Sequence, residues 1–198
     1  MNLALILRQE TKKDFQEVEY LTYQAFKGSR DVCDEHFLVH KLRQSKAYLP
    51  AFSLVAEIEG KLVGYVMFTK AKVVDETGKE ALVLALGPVS IKPTFQKIGI
   101  GTTLITYAIT QIKRLAYSGI ILFGHPEYYP RFGFVTADQF GITTASGENF
   151  DAFMALELQK GSLQEINGKF FNDPAFEIDP VEFEQFNQRF LKNLNNLN

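Results

Sequence analysis

The chain has 198 residues, 46% of them apolar and 22% charged, with a formal net charge of −2. That length supports one domain, spanning 1–198, with a substantial core; the near-neutral charge and the lack of any basic run argue against nucleic acid or an anionic membrane as partner. The single cysteine, Cys33, excludes an intrachain disulfide framework and reads as a packed thiol in a reducing compartment.

The apolar start, Leu3 to Arg8, is too short for a signal core and lacks a basic leader. No stretch approaches the length of a membrane span, so a cytoplasmic protein is expected. The same segment reads as a short buried strand. Thr11, with Asp14 three residues on, forms a capping-box-like start. A helix follows, with Phe15, Val18, Leu21, Ala25 and Phe26 at helical spacing, until Gly28-Ser29-Arg30 breaks it. A second helix spans about Cys33 to Gln44, with Phe37, Leu38 and Leu42 inward. Phe52 to Ile58 is strand-like, Glu59-Gly60 is a hairpin turn, and Lys61 to Lys72 is the returning strand. Asp75 to Lys79 turns again into a long third strand, Ala81 to Ile91.

A glycine loop then opens a helix running to about Ala116. Gly119 to Gly124 is a strand apolar enough to be buried on both faces. Pro126 to Phe132 looks like a short helix, Phe134-Val135 enters a further strand, and Ala152 to Leu158 is one more. Asp179-Pro180 supplies an N-cap with proline at the first helical position. Phe183, Phe186 and Phe190 give the closing helix its inner face, and the Asn-rich tail, Asn193 to Asn198, is expected to fray. This order predicts one α/β domain with a mixed sheet, in which the strands ending at Ile91 and Phe123 are parallel neighbours.

The chemistry concentrates at Gln96-Lys97-Ile98-Gly99-Ile100-Gly101, between the third strand and its helix. A helix start leaves N–H groups unpaired at the positive end of the helix dipole, which suits a phosphate. Glycines let a bulky anion approach the backbone. A P-loop is excluded, because Thr102-Thr103 stand where lysine and a hydroxyl residue are required. A dinucleotide fingerprint fits poorly: Leu104 replaces its third glycine, Lys92 to Ile98 lengthen the turn, and some eighty residues precede it.

Gln-x-x-Gly-x-Gly after a long meander strand resembles the coenzyme A loop of the GNAT N-acetyltransferase superfamily. The segment Leu86-Gly87-Pro88-Val89-Ser90-Ile91-Lys92-Pro93 is similar to that superfamily's fourth strand. Pro88 cannot donate to a ladder, so Gly87-Pro88 predicts a bulge that splays this strand from its parallel neighbour. Tyr128-Tyr129-Pro130-Arg131-Phe132-Gly133-Phe134 resembles the superfamily's Tyr-x-x-x-Gly-Phe segment, and more narrowly that of YhbS-like acetyltransferases. So does Glu35 to Arg43, and the likeness extends to Phe153 to Ser162.

The resemblance implies a GNAT fold, a mixed central sheet with a splayed parallel strand pair flanked by helices. It implies acetyl-CoA as cosubstrate, no metal, and a primary amine as acceptor, either a small molecule or a peptide. The main chain of Val89, Ser90 and Ile91 would hold the pantetheine arm like an added strand, and Gln96, Lys97, Ile98, Gly99, Ile100, Gly101 and Thr102 the diphosphate. Tyr129 would protonate the leaving thiolate, with Tyr128 its neighbouring alternative.

The fourth-strand carboxylate found in some members is replaced by apolar Leu84, Ala85 and Leu86. Glu35, Glu57 and His125 are the remaining candidates for a base, each also readable as a solvated charge or a local hydrogen bond. A non-catalytic acyl-CoA-binding or sensing domain is therefore the alternative. His36 and His40 share a helix face without an evident third ligand. Arg131 reads as a cap for the short helix, and Arg43 as a partner for a helix dipole. Monomer and homodimer both remain open.

Overall fold

The computed structural model describes residues 4–28 and 33–195. Leu3, the centre of the Gly28–Asp34 loop and the last three residues of the tail lie outside the described residues.

The elements are β1 (Leu5–Gln9), α1 (Phe15–Phe26), α2 (Glu35–Leu42), β2 (Leu54–Ile58), β3 (Lys61–Val74), β4 (Glu80–Ile91), α3 (Ile100–Ile112), β5 (Gly119–Phe123), β6 (Val135–Thr136), β7 (Ile142–Thr143), β8 (Phe153–Glu157), β9 (Gly168–Phe171) and α4 (Pro180–Asn195), in the expected order as far as β5; the short helix expected at Pro126 to Phe132 is only a 3₁₀ turn, Tyr129–Phe132, and β7 and β9 are additional. Their local causes are legible. The Asp14 carboxylate accepts from both the N–H and the hydroxyl of Thr11, at 2.7 and 2.8 Å, and is gripped by Arg8 on β1. Asp179 accepts from the N–H groups of Val181 and Glu182, capping α4.

Among the described residues the strands form one sheet, ordered β1-β2-β3-β4-β5-β8-β6. All pairs along that path are antiparallel except β4 and β5, which run parallel. A second ladder, β7 with β9, returns to β3 at Lys72–Val74. This return brings separate strands together: Phe153 of β8 and Phe170 of β9, which do not pair with each other, meet with ring centroids 5.8 Å apart. The β7–β9 return is the part that the sequence pattern did not announce.

Side chains alternate across the sheet. On one face, Ile100, Leu104, Ile105, Ala108, Ile109 and Ile112 of α3 pack against Leu84, Leu86, Ile120 and Leu122. Each large side chain buried there contributes about 2 kcal/mol of transfer free energy. On the other face, Val18 and Leu21 of α1 and Val39 and Leu42 of α2 cover Val55, Tyr65 and Met67. Further along that face, Ala85, Ile121, Phe153 and Phe170 form a separate core.

α2 is buried on two sides rather than one. Val39 and Leu42 meet the sheet, while Phe37 packs on Phe186 and Phe190 of α4. Leu38, expected inward, is only partly buried. No helix among the described residues is long and apolar enough to cross a membrane.

Candidate functional site

Two backbone features meet at one end of the sheet. The first is a parting of strands. β4 and β5 share only the pairs Leu84–Ile120 and Ala85–Ile121. Just beyond, Gly87 and Pro88 of β4 stand opposite the single residue Met67 of β3, between the pairs Phe68–Leu86 and Val66–Val89. That two-against-one register is a bulge, and it bends β4 away from β5. From Leu86 to Ile91 the β5-facing edge of the main chain has no ladder partner among the described residues. The side chains turn elsewhere. Val89 and Ile91 join the α3 core, and the buried Ser90 hydroxyl donates to Thr22 Oγ1 at 3.0 Å.

The second feature is the loop into α3. A turn at Pro93–Phe95 leads to Gln96, whose side-chain amide donates back to the Ile91 carbonyl at 3.1 Å and ties the loop to the end of β4. Lys97 and Gly99 adopt left-handed conformations, with φ of 63° and 93°. Gly99 is the N-cap of α3, and its carbonyl accepts from Thr103 N at 3.0 Å. Gly101 serves space rather than conformation. A Cβ there would stand 3.0 Å from the Tyr128 hydroxyl and 3.4 Å from Ile91 Cγ1. The N–H groups of Lys97, Ile98, Gly99, Ile100, Gly101 and Thr102 have no acceptor among the described residues. A run of free donors at the positive end of a helix is an anion cradle. Ile98 stands exposed at its lip, and Ile100 anchors it in the core.

The tyrosine block closes the other side of the parting. Gly124 follows β5 directly and has no side chain because the Tyr129 ring occupies that space. Tyr129 opens a short 3₁₀ turn to Phe132, ended by Gly133 at φ 92°. Its ring packs edge-on against Tyr128 and Phe134, at centroid distances of 5.2 and 5.7 Å. Its hydroxyl has no hydrogen bond among the described residues. Burial, and then the neighbouring Tyr128 phenol, push the Tyr129 hydroxyl up to about 12. It is a fully protonated donor near neutral pH. Arg131 holds this turn: its Nε donates to the Tyr128 carbonyl at 2.8 Å, and its guanidinium stacks 4.4 Å from the Tyr128 ring centroid. The approach of Tyr128 to Gly101, twenty-seven residues away, escaped the sequence reading. The one available signal was a glycine inside a helix where no unusual φ required it.

The base candidates scatter. Glu57 lies on β2, separated from the parting by β3, and is ion-paired to Arg8 at 3.0 Å. Glu35 is buried at the start of α2. Burial, and then the Glu35 and Asp34 carboxylates, push the Cys33 thiol up to about 11, a poor nucleophile. His125 is exposed in the loop between β5 and Tyr129, and its carbonyl accepts from Tyr128 N at 2.9 Å.

The other polar residues singled out in the sequence are structural. His36 is enclosed by Tyr23, Phe183, Phe186 and Phe190, with Nε2 3.3 Å from Asn187 Oδ1. His40 contacts Glu19 at 3.1 Å. Arg43 ends α2 but does more than face its dipole. Its buried guanidinium joins Glu10 to Glu19 and stacks 4.1 Å from the Phe15 ring centroid. A cavity of about 620 Å³ opens between α1, α2 and α4, lined by Lys13, Glu19, Tyr20, His40 and Arg189 among others. None of the glycine-loop or tyrosine-block residues lines it, so this cavity lies apart from the β4–β5 parting.

Comparison with known proteins agrees with this geometry. Residues 13–134 match the model of the acetyltransferase (GNAT) family. YjhQ of Escherichia coli strain K12, described as an uncharacterized N-acetyltransferase, is 33% identical over 123 residues, 62% of this chain; the match spans 65% of YjhQ's own length. The crystal structure of YhbS from Escherichia coli with CoA superposes with a TM-score of 0.78 at 22% identity, covering 89% of this chain and 93% of YhbS. A GNAT family acetyltransferase from Brucella melitensis, solved with acetyl-CoA, gives a TM-score of 0.71 at 28% identity, covering 89% of this chain and all of that one. The bulged fourth strand, the unpaired helix mouth and the family match over most of the chain have one source: this protein belongs to the GNAT acetyltransferase family.

Proposed function

We propose that this chain transfers an acetyl group from acetyl-CoA to a primary amine by direct attack. The observation that carries the reading is the run of N–H groups from Lys97 to Thr102, without acceptors among the described residues, next to a β4 edge without a ladder partner. The first suits a diphosphate; the second suits the amides of a pantetheine arm, which pair like a short strand. The CoA and acetyl-CoA complexes of the Escherichia coli and Brucella melitensis proteins support the choice of donor.

In this reading the neutral amine attacks the thioester carbonyl, forming the C–N bond. The carbonyl oxygen carries the charge of the intermediate, and a main-chain N–H near Val89 polarises it. The C–S bond then breaks, the electron pair leaves on sulfur, and Tyr129 gives the thiolate a proton. The proton lost from nitrogen passes to solvent or to His125, which is exposed on the same loop. With Leu84, Ala85 and Leu86 apolar and buried, the stretch of β4 that meets β5 supplies no base. That absence favours amines that arrive partly deprotonated, and it is also the observation behind the second reading, a domain that binds acyl-CoA without turning it over.

Calorimetric titration with acetyl-CoA, followed by thiol-release assays against polyamines, amino acids, aminoglycosides and peptides, separates the two. Binding with amine-dependent thiol release is expected. Saturable binding with no release across the panel would favour the sensor, and no binding would remove both.

A further inference from the structure

We propose that Phe123 and Phe150 form an aromatic wall that selects amine acceptors carrying an aromatic or bulky apolar group close to the reacting nitrogen. The proposal rests on the acetyl-transfer reading above and adds the acceptor class to it.

Position is the first argument. Phe123 is the last residue of β5, two places beyond Ile121, the last residue that β5 shares with β4. It therefore stands at the opening of the parting. Strand alternation puts its side chain on the face of Ile121, away from α3. The glycine loop and Tyr129 belong to the α3 side, with Tyr129 packed against the α3 core. A donor anchored at the α3 mouth fills the parting from that side, so the acceptor must reach the thioester from the opposite face. Phe123 is on that face.

The surroundings are the second. Phe123 stacks on Phe153 at 5.0 Å and on Phe150 at 5.9 Å, and its ring lies 6.3 Å from that of Phe170. Phe153 and Phe170 are buried core residues and fix the base of the cluster. The Phe150 carbonyl accepts from Phe153 N at 2.9 Å, which ties its loop to the start of β8. Yet Phe123 remains 50% exposed and Phe150 47% exposed. Two held rings, each about half exposed at the end of the parting, offer a flat apolar substituent a contact surface. An ammonium arriving with it is attracted to the same ring faces.

The test compares kcat/KM for 2-phenylethylamine and ethylamine with saturating acetyl-CoA. It is joined by calorimetric binding of both amines to the CoA-saturated protein and by a separate titration with acetyl-CoA. The native protein is expected to favour 2-phenylethylamine by about tenfold or more, the scale on which a few buried carbons discriminate. Phe150→Ser, in an exposed loop, and Phe123→Leu, which keeps an apolar contact to Phe153, should each cut that ratio at least threefold. A native ratio near one, or a preference that survives both substitutions, would overturn the wall. So would acetyl-CoA binding accompanied by neither acetylation nor binding of 2-phenylethylamine. Failure of the acetyl-CoA titration itself would instead bring down the acetyl-transfer reading, and this inference with it.

Discussion

Replacing Tyr129 by phenylalanine deletes one oxygen and leaves the ring. The ring fills the space above Gly124 and packs on Phe134 and Tyr128, and its hydroxyl donates to nothing among the described residues. Folding stability should therefore change by less than about 1 kcal/mol, since no internal hydrogen bond is lost. Catalysis is different. A phenol pushed up to about 12 and a free thiol near ~8.5 differ by ~3.5 units, so complete proton transfer to the thiolate would be uphill by about 5 kcal/mol. Desolvation disfavours a thiolate as it does a phenolate, so a coenzyme sulfur buried beside this phenol is raised in the same direction. That shift narrows the gap and brings a concerted donation within reach. Loss of the donor should lower kcat by about 10²–10³, equivalent to ~2.7–4 kcal/mol, while the coenzyme Kd stays within about threefold. Stopped-flow thiol release and calorimetry measure the two quantities. With its phenol at about 12, Tyr129 also gives the native enzyme no alkaline decline between pH 7 and 10. A Tyr129→Phe variant whose kcat falls by less than threefold would refute the acid role, and a large loss in Tyr128→Phe instead would transfer it to that neighbour.

At the cradle, Gly101→Glu places a side chain where a Cβ already stands 3.0 Å from the Tyr128 hydroxyl, and adds negative charge to an anion site. Coenzyme A affinity by calorimetry should fall about a hundredfold or more, as expected for a clash joined to charge repulsion. In the core, Arg43→Leu strands the buried Glu10 carboxylate with only the Tyr48 and Tyr65 hydroxyls as partners. Urea unfolding should register a loss of about 3 kcal/mol, typical of breaking a buried pair from one side. Burial among aromatic rings holds the His36 imidazole below its ordinary value. The unfolded chain therefore takes up this proton first, and stability contributed by neutral His36 is fully present above pH ~6.5 and is lost as pH falls below it. His36→Gln should flatten the difference in urea midpoint between pH 7.5 and 5.5; a variant as pH-sensitive as the native protein would exclude His36 as the source.

Much of the site was legible because its determinants are local. A helix mouth, two glycines with different duties and a proline that cannot join a ladder are fixed by neighbouring residues, so Gln96 to Thr102 and the bulge at Gly87-Pro88 could be read directly. The α4 cap at Asp179 and its phenylalanine face were legible for the same reason. The β7–β9 return to β3 was not. Ile142-Thr143 and Gly168 to Phe171 are too short to carry a period of their own, and they become strands only because the edge of β3 at Lys72–Val74 offers them partners.

The sequence by itself determined the α/β class, the glycine-bearing start of α3 and the proline bulge before it, because hydrophobic period, turn chemistry and backbone freedom act within a few residues. Only the tertiary structure decided that Tyr128 reaches Gly101, that Arg43 is an interior link between Glu10 and Glu19, and that Phe123 packs against Phe150, Phe153 and Phe170. Each of those facts is a distance between residues far apart in the chain. Such distances are set by how the sheet curls and the helices pack, and a one-dimensional pattern contains no term for them.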